Sequence, residues 1–266
     1  MGRISERFAA LRARGEKALV PFVTAGDPDL ETTEAIVLSI VEAGADLVEI
    51  GVPFSDPIAD GPTIQRASER ALRSRTTLRR ILELVKRLRP KVEVPLVLMG
   101  YANPFFAMGS EGFADAASQV GIDGVIVPDL PPEEGEEFYG ALASRGIDGI
   151  LLAAPTTKPE RLRFLLERTR GFLYYVSLTG VTSARAGLAE GLRESVLAAK
   201  RLGSTPVCVG FGIGTPEQAR EVAAYADGVV VGSALVDRIG KAASREAAVD
   251  AAGRFVAALV RGMRAG

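Results

Sequence analysis

Short apolar runs alternate with longer amphipathic stretches along the whole chain. The apolar runs fall at 18–24, 47–50, 95–99, 124–127, 149–152, 172–176, 206–209 and 228–231. They are apolar at successive positions, which marks strands of a parallel sheet covered on both faces. Between them, the stretches 30–43, 78–88, 112–120, 134–144, 159–168, 188–202, 216–224 and 243–260 carry apolar residues at helical spacing. The opening residues MGRISERFAALRARG add an amphipathic helix ahead of the first strand.

The joints repeat. Gly44-Ala45-Asp46, Gly121-Ile122-Asp123, Gly146-Ile147-Asp148 and Tyr225-Ala226-Asp227 each precede an apolar run. In the first three the glycine suits the left-handed residue that ends a helix, and the Asp makes the turn. Eight strand–helix units in 266 residues match the roughly 250 residues of a closed barrel. The predicted fold is α/β, a (β/α)8 TIM barrel with an extra N-terminal helix, as one domain over 1–266. A doubly wound open sheet ranks second, because TAGDPDL after the first strand is no glycine-rich dinucleotide loop.

One strand breaks the apolar rule. In Leu47-Val48-Glu49-Ile50-Gly51 a carboxylate sits inside an apolar run. Burying it is costly unless it is paired, neutralised or used. A solvated strand end is the alternative. A turn-rich loop follows with Asp56 and Asp60, and Gly61-Pro62 opens the next helix. Asp60 reads either as a second functional carboxylate aimed at the same substrate or as a turn and helix entry; Asp56 before Pro57 reads as turn chemistry.

Composition narrows the chemistry. The chain has no histidine, which excludes Ser-His-Asp triads, Cys-His pairs and imidazole metal sites, so Asp, Glu, Tyr, Lys or Cys must move protons. No metal site is expected. With 32 basic and 33 acidic residues, a net charge of −1 and no basic stripe, neither nucleic acid nor a membrane surface is an expected partner. Cys208 stands alone inside an apolar run and reads as a buried, inert thiol in a reducing, cytoplasmic compartment.

In such barrels chemistry sits on the loops after the strands. Here Gly210-Phe211-Gly212 follows the seventh strand and Gly232-Ser233 the eighth. Glycine amides and a helix N-terminus make a phosphate cradle there; the plainer reading is tight turns. The segment 177–183, rich in small residues, reads as a mobile lid.

The run Val48-Glu49-Ile50-Gly51 … Phe54-Ser55-Asp56-Pro57 … Asp60-Gly61-Pro62 resembles the signature of tryptophan synthase α subunits. Tyr101-Ala102-Asn103-Pro104, the lid, Gly210-Phe211-Gly212 and Gly232-Ser233 are similar to that family's other landmarks, in the same order. The resemblance spans essentially the whole chain. Ser183 follows Thr182 in the lid where the family often has a second glycine.

The resemblance implies retro-aldol cleavage of indole-3-glycerol phosphate to indole and glyceraldehyde 3-phosphate. Glu49 would be the general acid/base, Asp60 the partner of the indole N–H, and Tyr175 an assistant in proton transfer. Phe22, Leu98, Val127 and Tyr175 would hold the indole ring. Gly180, Thr182, Gly210, Phe211, Gly212, Gly232 and Ser233 would hold the phosphate. It further implies no cofactor in this chain, a pyridoxal-phosphate β subunit that receives the indole, and an α2β2 heterotetramer. Loops 53–56, 103–106 and 129–132 would face that subunit, and the lid at 179–187 would close when it binds. A free-standing indole-releasing lyase and a catalytically idle barrel kept as a partner module are the alternatives.

Overall fold

The computed structural model describes residues 2–176, 185–210 and 212–264. Helix α1 (Arg3–Ala13) precedes β1 (Ala18–Thr24), α2 (Leu30–Glu42), β2 (Val48–Gly51), α3 (Pro62–Arg73), α4 (Leu78–Leu88), β3 (Leu96–Met99), α5 (Ala102–Phe106) and α6 (Ser110–Val120). There follow β4 (Gly124–Ile126), α7 (Glu136–Ser144), β5 (Asp148–Ile150), β6 (Leu152–Ala153), α8 (Pro159–Arg168), β7 (Leu173–Val176) and α9 (Arg185–Leu202). The chain ends with β8 (Val207–Gly210), α10 (Pro216–Ala223), β9 (Gly228–Val231), α11 (Ser233–Gly240) and α12 (Arg245–Arg264).

The strands form one parallel sheet in the order β5-β4-β3-β2-β1-β9-β8-β7-β6. Its two ends are pieces of one predicted strand. β5 pairs with β4 and β6 with β7, so the chain hands over from one neighbour to the other at Leu151. The Leu151 N–H there goes to the Thr169 hydroxyl, 3.0 Å away, and its carbonyl accepts from Tyr174 N–H. The sheet thereby curls into the nearly closed eight-unit barrel expected from the sequence. Helix α5, expected as loop, is an added short turn with Pro104 in its first turn, where the missing N–H costs nothing.

Two apolar clusters divide the strands by parity. Leu19, Val48, Ile50, Leu98 and Val125 face the helices. Val20, Leu47, Val97, Ile126 and Cys208 face inward, where Ile4, Phe8 and Leu11 of α1 plug the floor. The recurring Asp does more than turn the chain. Asp46, Asp123 and Asp227 each accept the N–H of a residue in the adjacent strand, Leu19, Leu96 and Val207, at 2.9, 2.9 and 3.0 Å. Arg7 and Arg3 of α1 pair with Asp46 and Asp123 and bolt the plug on. Gly44, Gly121 and Gly146 take left-handed φ values of 101°, 85° and 72°, as helix ends require.

Candidate active site

β2 sets the centre. Val48 and Ile50 face the helices, so Glu49 between them points into the barrel, level with Phe22 of β1 and Val97 of β3. It is 1% exposed, and neither carboxylate oxygen has a hydrogen-bond partner. Burial, with the nearby Asp60 carboxylate adding to it, pushes the Glu49 pKa up to about 8. The solvated-strand-end reading is therefore ruled out: Glu49 is fully buried.

Asp60 is not a helix cap. Gly61 is the N-cap of α3, with no side-chain bond, and Pro62 begins the helix. The Asp60 carboxylate is free to face the barrel mouth, where the Tyr101 hydroxyl lies near it. That hydroxyl in turn accepts the Ala59 N–H at 2.9 Å. Burial raises Asp60 to about 6, and the nearby Tyr101 hydroxyl opposes the rise. The two carboxyls thus titrate in different ranges, and Asp60, expected on a more polar loop, is itself partly desolvated.

Phe22, Asp60, Ile64, Met99, Tyr101 and Pro128 line a small cleft at the mouth. Thr24 and Ser68, both 4% exposed, also line it. The Thr24 hydroxyl is buried without a partner.

Three expected pocket residues are not there. Leu98, Val127 and Tyr175 belong to the outer cluster against the helices. Tyr175 is 2% exposed, and its hydroxyl lies toward Ser195 of α9. Their neighbours Met99, Ile126 and Tyr174 point inward instead. Because side chains alternate along a strand, an error of one residue reverses the face. Tyr174 lies near enough to Glu49 and Cys208 for both to raise its pKa, behind the larger effect of burial, to well above its ordinary value. Parity is unreadable in a run that is apolar on both faces. For Tyr101, the Tyr-Ala-Asn-Pro loop was a signal that pointed to no role.

The glycine loops meet the same mouth. A β-carbon on Gly210 would stand 2.5 Å from the Tyr174 hydroxyl, so only glycine fits under that ring. Gly212 has φ 72°, a left-handed conformation. Gly232 is the N-cap of α11 and faces Phe22, and Ser233 is the helix's exposed first residue. Gly180, Thr182 and Phe211 lie outside the described residues, as does the lid up to 184; residues 185–187 begin α9. Among the described residues no cluster of three or more His, Cys, Asp or Glu could hold a metal ion. No helix there is long and apolar enough to cross a membrane.

The family model described as "Tryptophan synthase alpha chain" matches residues 8–263. The tryptophan synthase alpha chain of Geobacter sp. (strain M21) is 58% identical over 266 residues, covering 100% of this chain and 99% of the relative. That of Geobacter sulfurreducens is 52% identical over 264 residues, 99% and 98% of the two chains. Among solved structures, tryptophan synthase subunit alpha from Legionella pneumophila superposes with a TM-score of 0.92 at 39% identity, over 100% of both chains. A chain of M. tuberculosis tryptophan synthase in its aminoacrylate-bound form gives 0.89 at 35% identity, over 99% and 100%.

Proposed function

This chain belongs to the tryptophan synthase alpha-chain family, and from that premise we propose which of its side chains carry the family's α reaction. The chain is a lyase. It cleaves indole-3-glycerol phosphate to indole and glyceraldehyde 3-phosphate.

Two proton transfers and one developing charge must be served. The indole ring has to be protonated at C3, the hydroxyl on the adjoining carbon has to lose its proton, and positive charge on the ring nitrogen has to be offset. Glu49, held protonated near neutral pH by burial, gives its proton to C3. The carboxylate so formed takes the hydroxyl proton as the carbon–carbon bond breaks. The hydroxyl's electrons become the aldehyde carbonyl, and the bond's electrons return to the ring. Glu49 ends as it began, so one group serves as acid and then base. Asp60, ionised above about pH 6, accepts the indole N–H and offsets the ring charge. Tyr101 holds it in that state. Tyr174, beside Glu49, takes the assisting role that the sequence reading gave to Tyr175.

The ring then lies among Phe22, Ile64, Met99 and Pro128. The phosphate lies against Gly210, Gly212, Gly232 and Ser233, at the N-terminus of α11. The observation that carries this reading is Glu49 itself, a fully buried carboxyl with both oxygens unpartnered, inside the barrel and level with Phe22, which lines the cleft.

The family's name implies a β-chain partner. We assign an α2β2 assembly to this chain, with pyridoxal phosphate in the β subunit, no cofactor in this chain, and indole passed directly between the two. The exposed Phe106, at 45%, sits on one of the loops proposed to face the β subunit, and Ile58, at 87%, lies two residues beyond another. A cytoplasmic location and one domain over 1–266 complete the reading, and the family match over 8–263 supports the latter.

The test is single-turnover indole release with and without a β chain. Wild type should cleave and be stimulated by the partner. Glu49→Gln should still bind substrate yet lose roughly 100- to 10,000-fold in rate. Near wild-type cleavage by that variant would overturn the assignment.

A further inference from the structure

β1 and α3 line this cleft, α11 begins at the proposed phosphate end, and the guanidinium of Arg70 on α3 joins the loop after β1 to the end of α11, at a distance from the cleft. Asp27 lies in the loop that leaves β1, and its carboxylate is buried. Arg70, in the last turn of α3, donates to both of its oxygens, Nε to Oδ1 at 2.7 Å and Nη2 to Oδ2 at 2.8 Å. The Ser74 hydroxyl donates to the Gly26 carbonyl at 3.0 Å and ties the same loop to the same helix end. On its other flank the guanidinium lies against Gly240, the last residue of α11. A β-carbon there would stand 2.6 Å from Nη2.

Each of these elements bears part of the site elsewhere along its length. β1 presents Phe22 and Thr24. α3 follows directly on Asp60 and carries Ile64 and Ser68. α11 begins at Ser233. No side chain caps the start of α3, so the place of Asp60 relative to Phe22 and Ser233 depends on how the helix is seated. At 12 residues α3 is a lever of about 18 Å, and Arg70 grips it near its far end.

We propose that Asp27 and Arg70 form a positioning pair for the lyase reaction, fixing the Asp60 end of the site against the phosphate end. The bidentate fork sets direction as well as distance, which a lysine cannot do. Neither residue touches substrate. Their loss should therefore spoil the alignment needed for proton transfer more than it spoils binding. This rests on the lyase reading above.

The experiment compares wild type, Arg70→Lys, Asp27→Asn and the double variant for kcat, KM and thermal midpoint. The expected result is a drop in kcat of about tenfold or more in each single variant, with KM within about threefold and the fold retained. The double variant should be no worse than the worse single one, because the pair acts as a unit. Asp27→Glu combined with Arg70→Lys, which restores reach, should recover part of kcat. A wild-type kcat in the folded single variants overturns the proposal, as does a loss confined to the thermal midpoint. If one single variant fails to fold, the other decides. If both fail, the pair is a stability element and the proposal falls. Wild type without indole release would instead overturn the lyase reading, so the two failures are distinguishable.

Discussion

Tyr174 and Tyr175, adjacent on β7, face opposite sides of the sheet: Tyr174 points into the barrel near Glu49, and Tyr175 points out to Ser195 of α9. Removing one hydroxyl should therefore act on chemistry and removing the other on stability. Tyr174→Phe should lower kcat by about tenfold or more, toward the low end of general acid–base effects. Tyr175→Phe should leave kcat unchanged and act on stability alone, by about 1 kcal/mol or less. Steady-state kinetics and urea unfolding of the two variants check this, and equal kinetic effects would count against the parity assignment.

The two carboxyls predict a bell-shaped pH profile. Activity needs Asp60 ionised and Glu49 protonated at the start, so it should rise through about pH 6 and fall through about pH 8. The apparent values belong to the coupled pair. Because the Tyr101 hydroxyl lowers Asp60, Tyr101→Phe should move the acid limb to higher pH and leave the alkaline limb in place. The measurement is kcat against pH for both proteins; an acid limb that stays put would show that Asp60 does not set it.

Glu49 should also leave a mark on stability. Its folded pKa is raised from 4.5 to about 8, so the folded state holds the proton more tightly than the unfolded chain. Stability from this group is complete below pH 4.5 and is lost as pH rises through about 8. Over that window the slope approaches about 1.4 kcal/mol per pH unit. Glu49→Gln lacks a titrating group and should gain on wild type as pH rises. Urea midpoints at pH 5 and pH 8.5 test the sign; a constant difference between the two proteins would contradict it.

Ser233 allows the phosphate end to be probed without harming the fold. It is the exposed first residue of α11, where an aspartate is favourable by about 0.3–1 kcal/mol through the helix dipole. Ser233→Asp should therefore keep or raise the thermal midpoint while repelling the substrate phosphate, with KM up about tenfold or more. Gly212→Asp is a blunter probe, because its φ of 72° would strain any side chain. An unchanged KM in Ser233→Asp would move the phosphate elsewhere.

Much of this protein is determined by its sequence alone. Apolar runs, helical spacing and the Gly–Asp joints set the order and length of the strand–helix units, because each depends on neighbours within a few residues. Glu49 was legible for a similar reason: one carboxylate in an apolar strand is conspicuous without any knowledge of its partners. The face presented by each strand residue was decided by the tertiary structure. Leu98, Val127 and Tyr175 looked as suitable as Met99, Ile126 and Tyr174, because a strand buried on both sides carries no polar alternation to mark the inside. Only the closing of the sheet and the seating of the helices separate the two faces. The role of Asp60 is of the same kind. Its dipeptide with Gly61 suits a turn, a cap or a site equally, and the choice was made when Gly61 took the cap and Tyr101, far along the chain, reached the carboxylate. The meeting of Asp27, Arg70 and Gly240 likewise joins segments that share no local pattern, so it exists only once packing brings them together.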